Sequence, residues 1–303
     1  MRQRRTGMGI VLAGIALLVT RDGRADEPRS QVAGTWKVVL TNPQGQEIAL
    51  AIIKVDIKDG KPTVGLVATG PDTFKDTTVA DVRGDAMSVH WTLKSPTALV
   101  RFAAYAPAKP GRPKALRGSF QVRNSCEIVV LERTTDRELD PNNLVTDGVG
   151  ADDLKKLITD DDKKLMQAYT AILDRHFDRP AAYVAARRVF LALAKGDKGH
   201  KLVRAVGEQY RQLAADYGRE TELHAATEIA GALVNQADGV DGAFGALDVA
   251  RRAEKLLHDA DPPTIQVATL KVLAAALRKT KPVDAAALKA VEERIAKLGT
   301  QGK

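Results

Sequence analysis

The chain of 303 residues carries 46 Lys and Arg against 38 Asp and Glu, a formal charge of +8, with 44% hydrophobic and only 4% aromatic residues. A single cysteine, Cys126, rules out an internal disulfide and any Cys-x-x-Cys redox centre. The scarce aromatic residues, with no stacking motif among them, argue against a nucleic-acid partner despite the basic balance.

At the N-terminus, Arg2, Arg4 and Arg5 precede an uncharged, largely apolar run from Met8 to Thr20, the shape of a secretory signal. At 13 residues the run is shorter than the roughly 20 that a helix rising ~1.5 Å per residue needs to cross a ~30 Å hydrocarbon core. Gly23 and Ala25 place small residues before a cut between Ala25 and Asp26, so residues 1–25 are expected to leave as a signal peptide. Arg4-Arg5 also allows a twin-arginine reading, against which stands the weakly hydrophobic Thr6-Gly7-Met8. No later apolar segment is long enough to span a membrane, and no lipid-accepting cysteine follows the signal. The mature chain is therefore expected to be exported, periplasmic or extracellular, with no membrane span.

Removing residues 1–25 takes away five basic groups and one acidic group and leaves 41 against 37. Residues 29–134 hold 15 basic and 9 acidic groups, residues 135–303 hold 26 of each, so the basic excess belongs to the first half of the mature chain. It is densest at Arg101, Lys109, Arg112, Lys114 and Arg117, around a Pro/Gly-rich loop from Pro107 to Pro113. Such a patch can attract an anionic ligand or serve only as a solvated loop.

Residues 30–134 read as short alternating runs punctuated by turn residues. Trp36, Val38 and Leu40 share one face of a first strand that ends at Asn42-Pro43-Gln44-Gly45. The next run changes parity, from Ile48, Leu50, Ile52 to Ile53, Val55, Ile57, which requires a bulge or corner near Ile52 because strand side chains alternate with period 2. Strands follow at Val64 to Ala68, Phe74 to Val82, Met87 to Leu93, Leu99 to Tyr105, Leu116 to Val122 and Cys126 to Arg133. Eight sequential strands with short turns favour a closed up-and-down barrel, a two-sheet sandwich being the alternative.

Gly34-Thr35-Trp36 at the first strand and Arg133 at the last resemble the lipocalin and calycin barrels. The resemblance implies that Gly34, Trp36 and Arg133 close one end of the barrel, the arginine packing on the tryptophan. Inward candidates mix large Trp91, Phe102, Phe120 and Met87 with small Ala68, Ala98, Ala104 and Gly118. A barrel so composed can be filled by its own side chains or can hold one small ligand.

Residues 135–159, with Pro141, Asn142-Asn143 and Gly148-Val149-Gly150, read as a linker. The aspartates nearby lack the Asp-x-Asp-x-Asp-Gly spacing of a calcium loop and suit helix starts. Residues 160–299 are Ala/Leu-rich with helical spacing, interrupted by Asp178-Arg179-Pro180, Lys195-Gly196-Asp197, Tyr217-Gly218, Ala237-Asp238-Gly239, Asp261-Pro262-Pro263 and Lys281-Pro282. That leaves about seven helices of roughly 14 to 20 residues. Tyr183, Ala186, Val189, Phe190 and Leu193 form one apolar stripe, and Phe244, Leu247, Ala250 and Leu257 another. The helical half resembles a degenerate tetratricopeptide-type array, though its breaks are unevenly spaced. The whole is similar to the N-terminal part of exported bacterial thioredoxin-like, thiol-disulfide reductase proteins, but no residue here can carry their redox chemistry. The expected fold class is α+β multidomain: an antiparallel barrel of about eight strands, then an all-α repeat or bundle.

No catalytic, cofactor or metal constellation emerges. His90, His176, His200, His224 and His258 are scattered without a His-Glu-x-x-His pair, and His224 with Glu228, one helical turn apart, fits an ordinary surface pair. Two function classes follow. The first is an exported, noncatalytic binding protein whose helical domain meets a protein partner and whose barrel can take a small ligand, with no cofactor. The second is an enzyme or enzyme subunit with a site at the barrel mouth, using His90, Arg101 or Tyr105.

Overall fold

Alternation of apolar residues along eight successive segments builds the first half of the molecule. The computed structural model describes residues 30–70, 74, 76–96, 98–107, 113–196, 200–236 and 239–301; the expected signal peptide lies outside them. Strands β1 (Gly34–Thr41), β2 (Gln46–Lys58), β3 (Lys61–Thr69), β4 (Thr78–Gly84), β5 (Ser88–Lys94), β6 (Leu99–Tyr105), β7 (Ala115–Val122) and β8 (Ser125–Arg133) form one antiparallel sheet in the order β3-β2-β1-β8-β7-β6-β5-β4. Pairing of β1 with β8 joins the ends of the chain's meander, while β3 and β4 lie side by side without a hydrogen-bonded ladder. The result is a nearly closed eight-stranded barrel.

The parity switch in β2 resolves into two register shifts. Val38 and Val39 pair with Ala51 and Ala49, skipping Leu50, and Ile52 and Ile53 pair with Ala68 and Leu66, skipping Val67. The strand turns a corner there, which lets both Leu50 and Ile53 point into the interior. That interior is packed with side chains. Trp91 stacks on Phe102 at 4.8 Å between ring centroids, Phe102 meets Phe120 edge-on at 5.4 Å, and Trp36, Ile53, Leu93, Leu116 and Leu131 fill the space around them.

At one end, Arg133 and Trp36 are direct partners in the β1–β8 register. The guanidinium of Arg133 lies over the Trp36 ring at 4.2 Å from its centroid and donates to the carbonyls of Pro113 and Ala33, each at 3.2 Å. Gly34 has φ of 143°, a backbone conformation that favours glycine, and a Cβ there would push that guanidinium aside. The Trp36 indole N–H donates to Val32 O at 2.8 Å.

The segment read as a linker is built into the barrel wall. Short strand β9 (Val145–Asp147) pairs with Gln46–Ile48 of β2, a 3-10 turn covers Pro141–Asn143, and Gly150 opens the five-residue helix α1 (Ala151–Lys155).

Seven longer helices follow: α2 (Asp162–His176), α3 (Pro180–Lys195), α4 (His200–Ala215), α5 (Arg219–Gln236), α6 (Gly239–Leu256), α7 (Pro263–Lys279) and α8 (Ala285–Gln301). The predicted stripe of α3 is wholly buried. On α6 the prediction fails at Phe244, which is 49% exposed. The helix instead buries Ala243, Ala246, Ala250 and Ala253, small residues that let neighbouring helices approach, and turns Phe244 outward with Asp248 and Arg251. Ile128 on the outer face of β8 joins the helical core and Val130 packs against it, so the barrel wall and the helices share one apolar interior.

Candidate functional site

Strands β5 to β8 turn alternate residues away from the barrel, and the register aligns these into rows across the wall. One row is Ser88, Tyr105, Arg117 and Val130; the next His90, Ala103, Ser119 and Ile128; the third Thr92, Arg101, Gln121 and Cys126. Toward β8 the rows end in apolar residues that α3 and α5 cover; toward β5 they are polar and border a cavity of about 210 Å³. Opposite them stand Glu220 from the first turn of α5 and the loop Ala260-Asp261-Pro262 that precedes α7.

The start of α5 is fixed by fit and charge. Gly218, with φ of 98°, abuts the Tyr105 ring so closely that a Cβ would strike it. The Tyr105 hydroxyl donates to Glu220 Oε2 at 2.6 Å, and His90 Nδ1 lies 3.9 Å from the other carboxylate oxygen. Arg219 donates to Glu220 at 2.9 Å and grips Asp261 with both terminal nitrogens, at 2.6 and 2.8 Å. Asp261 also accepts the His258 N–H at 2.8 Å. Burial pushes the Asp261 carboxyl up, but Arg219 and the His258 amide outweigh it and hold the group below its ordinary range.

Burial dominates the other titratable groups here. It lowers His90 despite Glu220, so the imidazole is held neutral, and raises Tyr105 with help from Glu220. Cys126, completely enclosed, is pushed up to about 12, chiefly by burial; a thiol so placed is an inert packing group.

A second polar tie lies deeper. Arg187 of α3 reaches Glu127 of β8 at 3.1 Å and Glu228 of α5 at 3.2 Å, and the Tyr210 hydroxyl donates to the same Glu228 at 3.0 Å. Glu228 is therefore spoken for, and His224, one turn before it, is half-buried with its Nε2 enclosed and unpartnered and its pKa lowered by burial. Among the described residues no group of His, Cys, Asp and Glu could hold a metal ion.

The remaining predicted residues scatter. Arg101 faces the cavity. Arg117 donates to Asp178 O at 2.5 Å, lies 3.6 Å from Asp216 and sits over the Tyr217 ring at 5.5 Å. Lys114 lies at the barrel end beside Arg133, and Lys109 and Arg112 fall outside the described residues. His90, Arg101 and Tyr105 were expected at a barrel mouth; they stand on the outer wall, because residues in even register with His90 point away from Trp91 and Leu93. Sequence reasoning missed Arg219, Glu220, Asp261 and Arg187. The one available signal was the unbroken apolar stretch Ile128 to Leu131, since a strand apolar on both faces is covered on both.

The outer helices leave several grooves, two of them flanking α4. Between α2 and α4 runs one of about 630 Å³, lined by Met166, Tyr169, Leu173, Phe177, Leu202 and Val206, with Phe177 60% and Leu202 39% exposed. The neighbouring groove between α4 and α6 is bridged by ion pairs from Arg252 to Glu208 at 3.6 Å and from Arg204 to Asp248 at 3.8 Å, with Arg252 and Asp248 also paired along α6 at 3.0 Å.

Comparison with protein families, curated proteins and solved structures returns no match to this chain. No helix among the described residues is long and apolar enough to cross a membrane.

Proposed function

We propose that this is an exported, noncatalytic interaction protein whose helical half engages a protein partner while the barrel acts as its rigid mount. The carrying observation is the pairing of a side-chain-filled barrel with an open apolar groove between α2 and α4, where Phe177 and Leu202 face solvent. Exposed large apolar residues gathered in a groove favour a partner's apolar side chains, and a polar boundary such as the ion-paired α4–α6 groove limits the footprint. Export rests on the N-terminal Arg and apolar pattern, and kinship with lipocalin-like barrels on the stacking of Arg133 over Trp36.

A photo-crosslinking residue placed at Phe177 in the expressing cell tests the reading. It should give a discrete adduct that the same residue at Arg252 does not. Identical patterns at both positions, or none at Phe177, would refute it. N-terminal sequencing of the chain should begin at Asp26, and an intact Met1 would remove the export half of the proposal. A second reading, an enzyme using the junction cavity, is favoured by the meeting of His90 and Tyr105 on Glu220.

A further inference from the structure

The cavity between the barrel wall and α5 is lined by two cations that its own residues leave unpaired. Three carboxylates face it, and each has a partner: Asp81 pairs with Lys94 at 3.2 Å, Glu220 is held by Tyr105 and Arg219, and Asp261 is gripped by Arg219. Two guanidiniums also line it, Arg83 on the exposed rim and half-buried Arg101. Neither has an ion pair or hydrogen bond with any described residue. The lining carboxylates are therefore all engaged, and the two uncommitted charges are both positive.

The floor carries an independent sign. Ser119 is 1% exposed, and its hydroxyl has no hydrogen-bond partner although it lines the cavity. Buried hydroxyls are nearly always bonded, and this one can take its bond only from the cavity side. Thr92 and Gln121 flank it with further polar groups. At about 210 Å³ the space far exceeds the roughly 10–15 Å³ that one water needs.

We propose that this cavity binds a small organic anion, a hydroxylated carboxylate by class. Arg101 and Arg83 take the carboxylate, since planar guanidiniums match its two oxygens, and Ser119, Thr92 and Gln121 meet the hydroxyl groups. The assignment does not depend on the α2–α4 groove.

Isothermal titration of the intact chain at constant ionic strength, with sodium gluconate, inorganic phosphate and neutral glucose as probes, decides it. Gluconate should bind saturably and glucose should not. Arg101→Met, which keeps the apolar stem, should weaken gluconate at least tenfold, equivalent to about 1.4 kcal/mol. Arg83→Met, a rim change that leaves folding untouched, should weaken it in the same direction, and Ser119→Ala by a smaller factor. The absence of saturable binding by gluconate, or gluconate affinity unchanged in both arginine variants, would overturn the site. Phosphate binding tighter than gluconate would overturn the carboxylate class.

Discussion

Strands β5 to β8 carry two surfaces of opposite character on the same backbone. The inner one, with Val89, Trp91, Phe102, Leu116 and Leu131, is apolar and closely packed; the outer one mixes His90, Arg101, Tyr105, Ser119 and Gln121 with the apolar Ile128 and Val130. The inner surface is held by area and shape, the outer by specific pairings to helices that come much later in the chain. The difference predicts how each should fail. Loss of an inner side chain should cost packing energy whatever the pH or salt, whereas loss of an outer one should cost only what its partner cannot recover from water.

The largest effect expected is on the inner side. Phe102→Ala removes the ring stacked between Trp91 and Phe120 and should destabilise the chain by about 3–5 kcal/mol, read as a drop in the urea midpoint at unchanged slope. A smaller loss would mean that the barrel collapses around the gap and is less rigidly filled than the stacking indicates. On the outer side the closest rival is Arg187→Met. It leaves Glu127 and Glu228, both about one-fifth exposed, facing one another without their cation. The cost should be about 3 kcal/mol, the low end for breaking an enclosed pair because the group still touches water. Adding Glu127→Gln and Glu228→Gln to that variant should recover part of the loss, a rescue with no counterpart for Phe102→Ala.

The two surfaces were also unequally legible in the sequence. The inner face of β5 could be read from Val89, Trp91 and Leu93 because strand periodicity is local, and the parity break at Ile52 disclosed the corner in β2 for the same reason. Glycine and proline at the helix boundaries divided the second half correctly. The junction cavity could not be read in that way, because Tyr105 and Glu220 are separated by 115 positions and no spacing rule links them. Arg101 was visible as part of a basic cluster, but its separation from Arg117 followed only once the register set them on different rows. Phe244 misled for a related reason: hydrophobicity ranked it above the alanines of α6, whereas close helix packing selects small residues.

The barrel's closed end lies between the two regimes, since Arg133 offers charge to a buried aromatic face. Arg133→Ala should cost about 2 kcal/mol, from a desolvated cation–π contact and two charged hydrogen bonds, and should shift tryptophan emission to the red as water reaches Trp36. Unchanged emission would mean that the guanidinium does not shield the ring. Gly34→Ala should cost stability too, but leave the emission closer to that of the parent, because the arginine can shift without leaving.

Acidification gives the smallest effect and separates the surfaces most cleanly. His90 and His224 both have pKa values depressed chiefly by burial, so the unfolded chain, where each titrates near 6.5, binds more protons than the folded one below that pH. Their contribution is complete above about pH 6.5 and is lost as the pH falls toward the depressed folded values. Asp261 adds loss of the same sign at lower pH, because its depressed carboxyl must be protonated on unfolding. A melting temperature that falls between pH 7.5 and 5.5 is therefore expected. His224→Gln should reduce that slope, since it removes a group whose burial resists protonation more than the nearby Glu228 favours it. Phe102→Ala should lower the whole curve and leave its slope unchanged, because no titrating group on the inner face changes with it. A slope equally reduced in both variants would show that the inner and outer surfaces unfold as one electrostatic unit, and would dissolve the distinction between them.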